Sequence, residues 1–322
     1  MHIDDVLGAV ARRLAMGLIV NQAPATDVLR LVDDEADGCA GLVVDRYGPV
    51  LRLEVRGASW PARIDDIART LCLAGHAAHA VGLLRTSAGK SELKVLAGDP
   101  PHAHVVTEAG VRLLVRTVEP EAAGVGVFID HRNGRAAVRA LAPGATVLNL
   151  FAHAGAFGAC AVAGGAARVD HVDAARKCAP WAAINVALNG EDPRKHRFIV
   201  DDALAVLARF AHKGPAYDIV VCDPPTTALR PDGTRFHVEK HLEDLARDCL
   251  RCLRPGGTLL LSTNNRALAV RDVHDAALLG ARAAGVHIAR LEEIALPPDV
   301  PSARDPRLRP MRGVMAMLGP LA

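Results

Sequence analysis

Five short stretches carry the residue types that could do chemistry, and each follows an apolar run. IVVCDPPTT places Asp223 at the end of a strand-like segment, with Pro224, Pro225 and Thr226 behind it. The two prolines stiffen the backbone and remove two donors, so neighbouring carbonyls stay free to accept from a planar amine or ring. LNLFAHAGAFG carries Asn149, Phe151, Ala152 and Gly155 into a tight small-residue turn, and HVDAA closes on Asp173 and Ala174. An acid at that place can hold the two hydroxyls of a ribose or cap the helix that follows. FIVDDA offers Asp201 and Asp202, able to accept from an exocyclic amine such as adenine N6 or to serve as a helix N-cap. LLLSTNN ends on Asn264 and Asn265, which present donors and acceptors together.

These stretches act together only if a fold brings their ends to one edge. From Arg132 onward the order reads helix, strand 146–151, helix, strand 168–172, helix 174–188, strand 197–200, helix 202–211, strand 217–222, helix 237–253, strand 257–262, helix 268–284, then strands near 287–295 and 312–318. Strict alternation predicts an α/β fold, a Rossmann-like doubly wound and mostly parallel sheet, with the last two strands as an antiparallel C-terminal edge. In such a sheet the carboxyl ends of the strands share one edge, where nucleotide-like ligands lie. The turn is not G-x-G-x-x-G, and the chain offers no obvious His or Tyr/Lys set for hydride transfer, which argues against a nicotinamide dehydrogenase.

Ahead of this, residues 2–18 repeat apolar side chains at helical spacing, and residues 28–55 read as short strands broken by turns. A helix at 61–73, strands near 80–84 and 92–96, and a hairpin over 105–118 complete a smaller N-terminal α+β domain, expected to serve substrate recognition. The expected domains are 1–118 and 119–322. Asp33, Asp34, Glu35 and Asp37 form an acidic turn that is either a solvated tip or a cation site.

The 322 residues are half hydrophobic but only 3% aromatic, and 38 basic against 36 acidic residues leave a charge of +2. That balance neither demands nor excludes a polyanion. Seven cysteines without regular spacing fit a reducing, cytoplasmic setting, and Cys249-x-x-Cys252 reads as helix packing rather than a metal or redox pair. No signal peptide, membrane span or metal motif is expected. The oligomeric state stays open, a homodimer included.

GVFIDHRNGR, NLFAHAGAFG, HVDAA, FIVDDA, VCDPPT and LSTNN fall in the order and spacing of the bacterial 23S rRNA methyltransferases that use S-adenosyl-L-methionine, the group of cytosine-5 and guanine-7 large-subunit enzymes. LRLVDDEADGCAGLVVDRYG resembles the segment that precedes their catalytic domain, although a further N-terminal RNA-binding module is not expected here. The resemblance implies that Asn149, Phe151 and Gly155, with Ala152, line the methionine and ribose of the cofactor. It implies that Asp173, with Ala174, takes the ribose hydroxyls and that Asp202 meets the adenine amine. Phe128, Asp130 and Arg132 would close over the site, and Asp223, Pro224, Pro225, Thr226 and Asn264 would face the methyl acceptor. The cytosine-5 members carry Ser-Cys-Ser where this chain has Ser262-Thr263-Asn264, and Asn264-Asn265-Arg266 is nearer the guanine-7 pattern. Cytosine C5 needs a cysteine adduct, so a ring nitrogen is the expected acceptor. Cys222 should point into the sheet. The alternative is the same cofactor with a small-molecule or protein acceptor. Arg12, Arg13, Arg52, Arg56 and Arg63 are candidate phosphate contacts, and Phe128, Phe157, Phe236 and Trp60 candidate stacking residues.

Overall fold

The structure, a computed structural model, describes residues 3–17, 26–56, 60–85, 91–119, 122–230, 233–301 and 309–320. The chain forms two compact units, one of Met1–Ile129 with Pro297–Arg304, the other of Asp130–Leu296 with Asp305–Ala322.

The first unit contains α1 (Ile3–Ala15), β1 (Val28–Asp33), β2 (Leu42–Tyr47), β3 (Val50–Arg56), α2 (Ile64–Leu73), β4 (His79–Arg85), β5 (Ser91–Ala97) and a separate hairpin, β6 (His104–Glu108) and β7 (Val111–Val115). Its sheet runs in the order β1-β2-β3-β4-β5, antiparallel except where α2 carries β3 over to a parallel β4. Val6, Ala9 and Val10 of α1 and Ile64, Ile67 and Leu71 of α2 lie at helical spacing, and both stripes are buried with Leu31, Leu51 and Leu53 of the sheet. Trp60 is buried in the same core, its Nε1 donating to Ala40 O at 2.8 Å. It is therefore unavailable for stacking on a base.

Two of the candidate phosphate contacts, which could also have been solvated side chains, are buried instead. Arg52 is buried on β3 and donates to the carbonyls of Thr117 and Glu119, because the pleat turns it inward. Arg13 is buried as well and reaches Asp37 Oδ2 at 2.7 Å, which resolves the acidic turn: its cation is a guanidinium of α1. Arg12 also faces Asp37, and Arg56 pairs with Glu54.

The second unit contains α3 (Arg132–Leu141), β8 (Thr146–Leu150), α4 (Ala156–Ala163), β9 (Arg168–Asp173), α5 (Cys178–Leu188), β10 (Arg197–Val200), α6 (Ala203–Lys213), β11 (Tyr217–Cys222), a small hairpin of β12 (Thr227–Leu229) and β13 (Arg235–His237), α7 (Val238–Cys252), β14 (Leu253–Thr263), α8 (Val270–Ala284), β15 (Ile288–Glu293) and β16 (Arg312–Leu318). Seven strands form one sheet in the order β10-β9-β8-β11-β14-β16-β15. The first five are parallel, and β16 runs antiparallel to both β14 and β15. Val138, Ala161, Val162 and Val186 of α3 to α5 cover one face, while Val206, Leu207, Leu245 and Val273 of α6 to α8 cover the other. This is the doubly wound sheet with an antiparallel C-terminal edge that the alternation predicts.

Three details differ from the sequence-based expectation. Helix α5 begins at Cys178, leaving Ala174 in an exposed bend ahead of it. Strand β8 stops at Leu150, one residue short of Phe151. The β12–β13 hairpin was not expected; its three-residue strands are too short for an alternation to show.

Candidate active site

The strand order reverses between β8 and β11, so the crevice at the carboxyl ends of these two strands is where a ligand should lie. The loop that leaves β8 is tightly wound. Phe151, His153 and Gly155 all have positive φ, at 52°, 47° and 75°, and two of the three are not glycine. Such strain persists only where the surroundings impose it. Here the end of β9 does so. Asp173 accepts from the backbone N–H of His153 and of Ala175, each at 2.8 Å, and Ala152 N donates to Val172 O at 2.9 Å. A Cβ on Gly155 would stand 2.6 Å from the Ala182 Cβ, and one on Gly158 would stand 2.1 Å from His171 Cε1, so α4 seats against β9 only through glycine.

The result is a small hollow lined by Ala152, His153, His171, Asp173 and Ile199 among others. Asn149 stands buried behind it, its Nδ2 3.4 Å from His171 Nδ1. Burial pushes the His171 pKa down to about 3, with His196 adding to the effect, so the ring is neutral, and its Nε2 has no hydrogen-bond partner among the described residues. An apolar wall with a carboxylate at its lip and an unused ring nitrogen within suits the ribose end of a nucleoside.

At the end of β10, Asp201 is exposed and pairs with Arg209, whereas Asp202 has two tasks. Its Oδ1 caps α6 by accepting from Leu204 N at 2.9 Å, and its Oδ2 accepts from Arg230 Nε at 2.9 Å. Arg230 follows β12, and Phe236 of β13 stacks on Phe151 with centroids 6.2 Å apart, so the short hairpin is fastened to both loops. Phe236 is buried and offers no face to a base.

The end of β11 is the most strongly charged part of the crevice. Asp223 Oδ1 accepts from Ser262 Oγ at 2.8 Å, and Oδ2 lies 3.2 Å from Nε2 of His131. His131 is buried edge-on against Phe157, 5.5 Å between centroids, at the leading turn of α3. Burial opposes the charge on the imidazole, but the facing carboxylate outweighs it and the His131 pKa is raised; Asp130 acts in the same direction. Burial likewise opposes ionisation of Asp223, yet His131, Ser262 and Arg135 hold its pKa below the ordinary carboxylate range. Each group therefore favours the charged form of the other. Thr226 Oγ1 donates to Asn264 Oδ1 at 2.9 Å, tying the Pro224-Pro225 loop to the end of β14. Pro224 is buried and Pro225 exposed.

Sequence reasoning passed over His131. Its signal is its place directly after Asp130 in FIDHR, but only the packing of α3 shows that it meets a residue 92 positions away. Asp130 and Arg132 stand on either side of it. Phe128 belongs to the first unit, with 39% of its surface exposed. Cys222, Cys249 and Cys252 are all buried in the core, and Cys222 does not face the crevice as a nucleophile. No three His, Cys, Asp or Glu side chains converge on a metal position among the described residues, and no helix among them is long and apolar enough to cross a membrane.

The family model for S-adenosylmethionine-dependent methyltransferases matches residues 64–317. The chain belongs to this family. It is an enzyme that transfers a methyl group from S-adenosyl-L-methionine. Among its relatives, a ribosomal RNA large subunit methyltransferase of Deinococcus radiodurans is 31% identical over 288 residues, covering 86% of this chain and 69% of that protein. The ribosomal RNA large subunit methyltransferase K/L of Methylococcus capsulatus is 30% identical over 85% of this chain, which spans only 37% of that longer protein. A methyltransferase from Streptococcus mutans superposes with a TM-score of 0.82 at 22% identity, over 98% of this chain and 80% of its own. SMU.776, a methyltransferase solved with SAH, gives 0.83 at 23% over the same shares. The motif resemblance read from the sequence thus agrees with both the family and the fold.

Proposed function

We propose that this methyltransferase modifies a base of large-subunit ribosomal RNA, 23S rRNA in bacteria, at a nucleophilic ring nitrogen such as guanine N7 rather than at cytosine C5, with the N-terminal domain serving substrate recognition. The observation that carries the choice of atom is the end of β14. Ser262-Thr263-Asn264 stands there with Ser262 committed to Asp223 and Asn264 to Thr226, and no cysteine lies at that strand end. Carbon methylation of cytosine requires a thiolate to add at C6 first; a ring nitrogen already carries its lone pair. The names of the relatives support the RNA substrate.

In this reading, S-adenosylmethionine supplies an electrophilic methyl group when bound. Asp173 and Ala174 meet the ribose, Asp202 the adenine amine, and Asn149, Phe151, Ala152 and Gly155 line the remainder, while Asp130 and Arg132 flank the acceptor side. Asp223 is held ionised and immobile by two donors, and each of its oxygens keeps a lone pair for an N–H of the acceptor base. The Watson–Crick edge of guanine presents both a ring N–H and an amine, which suits a carboxylate. The Pro224-Pro225-Thr226 loop and Asn264 give the base a rigid floor, so orientation supplies much of the rate.

Nucleoside mass spectrometry of rRNA from wild-type and deletion cells tests the reading. A methylated guanosine should vanish on deletion and return with the wild-type chain but not with Asp223→Ala. Loss of 5-methylcytidine instead would refute the ring nitrogen, and an unchanged rRNA nucleoside profile would refute the substrate.

A further inference from the structure

Strands β11 and β14 pair in parallel as far as Cys222 and Leu261, and the segments that leave them stay side by side. Two hydrogen bonds join these segments like rungs. Asp223 Oδ1 accepts from Ser262 Oγ at 2.8 Å, and Asn264 Oδ1 accepts from Thr226 Oγ1 at 2.9 Å. Both sides of the second rung are pinned. The Thr226 carbonyl accepts from the N–H of Val238, the first residue of α7, at 3.1 Å. On the other side, Asn265 N donates to Thr263 Oγ1 at 3.1 Å, and Asn265 Oδ1 accepts from Ala267 N at 2.9 Å. The second rung fixes which way the Asn264 amide faces. Its oxygen is taken by the Thr226 hydroxyl, so the Nδ2 end of this exposed side chain keeps two N–H donors. The ends of β11 and β14 thus present a carboxylate and, two residues beyond the serine that holds it, an oriented amide donor.

We propose that Asn264, turned by Thr226, selects guanine by donating from Nδ2 to its O6 while Asp223 receives the ring N–H and the exocyclic amine. The proposal rests on the rRNA reading given above. Along its Watson–Crick edge guanine offers two adjacent donors and then an acceptor, the complement of a carboxylate followed by an amide N–H. The other bases lack this order. Adenine and cytosine turn a ring-nitrogen lone pair toward the carboxylate, and uracil sets a carbonyl on each side of its N–H, so that one of them meets the carboxylate. Guanine N7 lies on the other edge of the base, where it keeps its lone pair for the methyl group. Asn264 is thereby a specificity-determining residue and Thr226 the residue that positions it.

The test uses unmodified 23S rRNA transcribed with 6-thioguanosine sparsely replacing guanosine, so that any acceptor position holds either nucleoside. The full chain and its Asn264→Ala variant methylate this RNA in a single turnover, and nucleoside mass spectrometry reads both methylated products. A thione accepts hydrogen bonds more weakly than a carbonyl, so the ratio of methylated guanosine to methylated 6-thioguanosine should fall about 3- to 10-fold from wild type to Asn264→Ala. Asn264 is exposed, and calorimetric binding of S-adenosylmethionine should match wild type. Thr226→Val, which lets the amide turn, should lower the ratio too, and it decides the matter where Asn264→Ala fails to bind the cofactor. A clasp that only braces the loop would slow both products equally. A wild-type ratio in a variant that still binds the cofactor would therefore overturn the proposal. Loss of all methylation in such a variant would overturn it as well, because one hydrogen bond from an exposed amide accounts for no more than about tenfold. A wild-type chain that methylates no nucleoside of the transcript would overturn the rRNA reading itself, and one that methylates only another base would overturn the selection of guanine.

Discussion

Replacing His131 by leucine keeps an apolar group against Phe157 and removes the donor that faces Asp223. Breaking a buried ion pair by taking one partner costs about 3–5 kcal/mol. The Asp223 side chain is 24% exposed and keeps its bond from Ser262, so the cost falls just below that range, about 2–3 kcal/mol. For a unit of this size, each kcal/mol moves Tm by about 2–4 °C, and calorimetry should therefore find His131→Leu about 5–10 °C below wild type near pH 6. The pH dependence is the sharper test. His131 has a raised pKa when folded, so its contribution is complete below the unfolded value near 6.5 and is lost as pH rises through the raised one. Asp223 has a lowered pKa, so its contribution is present above about 4 and lost as pH falls through the folded value. The deficit of the variant is thus largest between about pH 4.5 and 6.5 and shrinks toward pH 9. Methyl transfer should fall tenfold or more in kcat while the affinity for S-adenosylmethionine stays within about twofold, because a carboxylate displaced by 1 Å mis-aims the acceptor. A Tm difference that is the same at pH 6 and pH 9, or a kcat equal to wild type, would refute the argument.

Two further substitutions address the cofactor half of the crevice. Gly158→Ala puts a methyl 2.1 Å from the buried His171 ring, which stacks on Phe198 at 5.0 Å and cannot retreat. The overpacking should cost about 1–3 kcal/mol and weaken cofactor binding, and a wild-type Tm and Kd would show that the ring has room. Arg230→Gln releases one oxygen of Asp202 from a half-buried pair, so Tm should shift by no more than about 1 kcal/mol allows, while S-adenosylmethionine binds at least threefold more weakly by calorimetry. An unchanged Kd would mean that the N-cap bond to Leu204 alone orients the carboxylate.

What the sequence reveals and what it hides follow from range. Alternation of apolar runs with helical stretches is local, and it locates every strand of the parallel sheet and the four strand ends that carry acids or amides. Gly155 and Gly158 are equally legible as a tight turn, since a close approach leaves a residue type behind it. The partners of Asp223 are not legible. Ser262 and His131 lie 39 and 92 residues away on opposite sides of it in the chain, and neither residue type announces a commitment. Arg13 and Arg52 show the converse. A lone arginine in a sequence reads as solvated, and only the pleat of β3 and the docking of α1 turn these two toward carbonyls and a carboxylate. Asp202 is a third case: the N-cap and the amine acceptor were alternatives on paper, and the structure gives it the cap while leaving lone pairs over for the other role.

The placement of the cysteines bears on how the methyl group is received. A nucleophilic thiol must be exposed and electropositive in its surroundings, so that the thiolate forms near neutrality. Burial drives this chain the other way. The Cys39 pKa is pushed up to about 11 and that of Cys252 to about 12, Cys249 is raised well above its ordinary value, and Cys72, the one cysteine not fully buried, lies on α2 of the first unit and is raised as well. Cys222, one residue from Asp223, is directed into the sheet beside Cys249 by the pleat that turns Asp223 out. In the proposed reading no thiol activates the acceptor covalently, and a ring nitrogen would bring its own lone pair. What remains for the protein in that reading is geometry, and the proposed acceptor side would supply it through a proline pair, a hydroxyl–amide clasp and a carboxylate held on both oxygens. Every one of those devices restricts motion, and none donates electrons to the reaction.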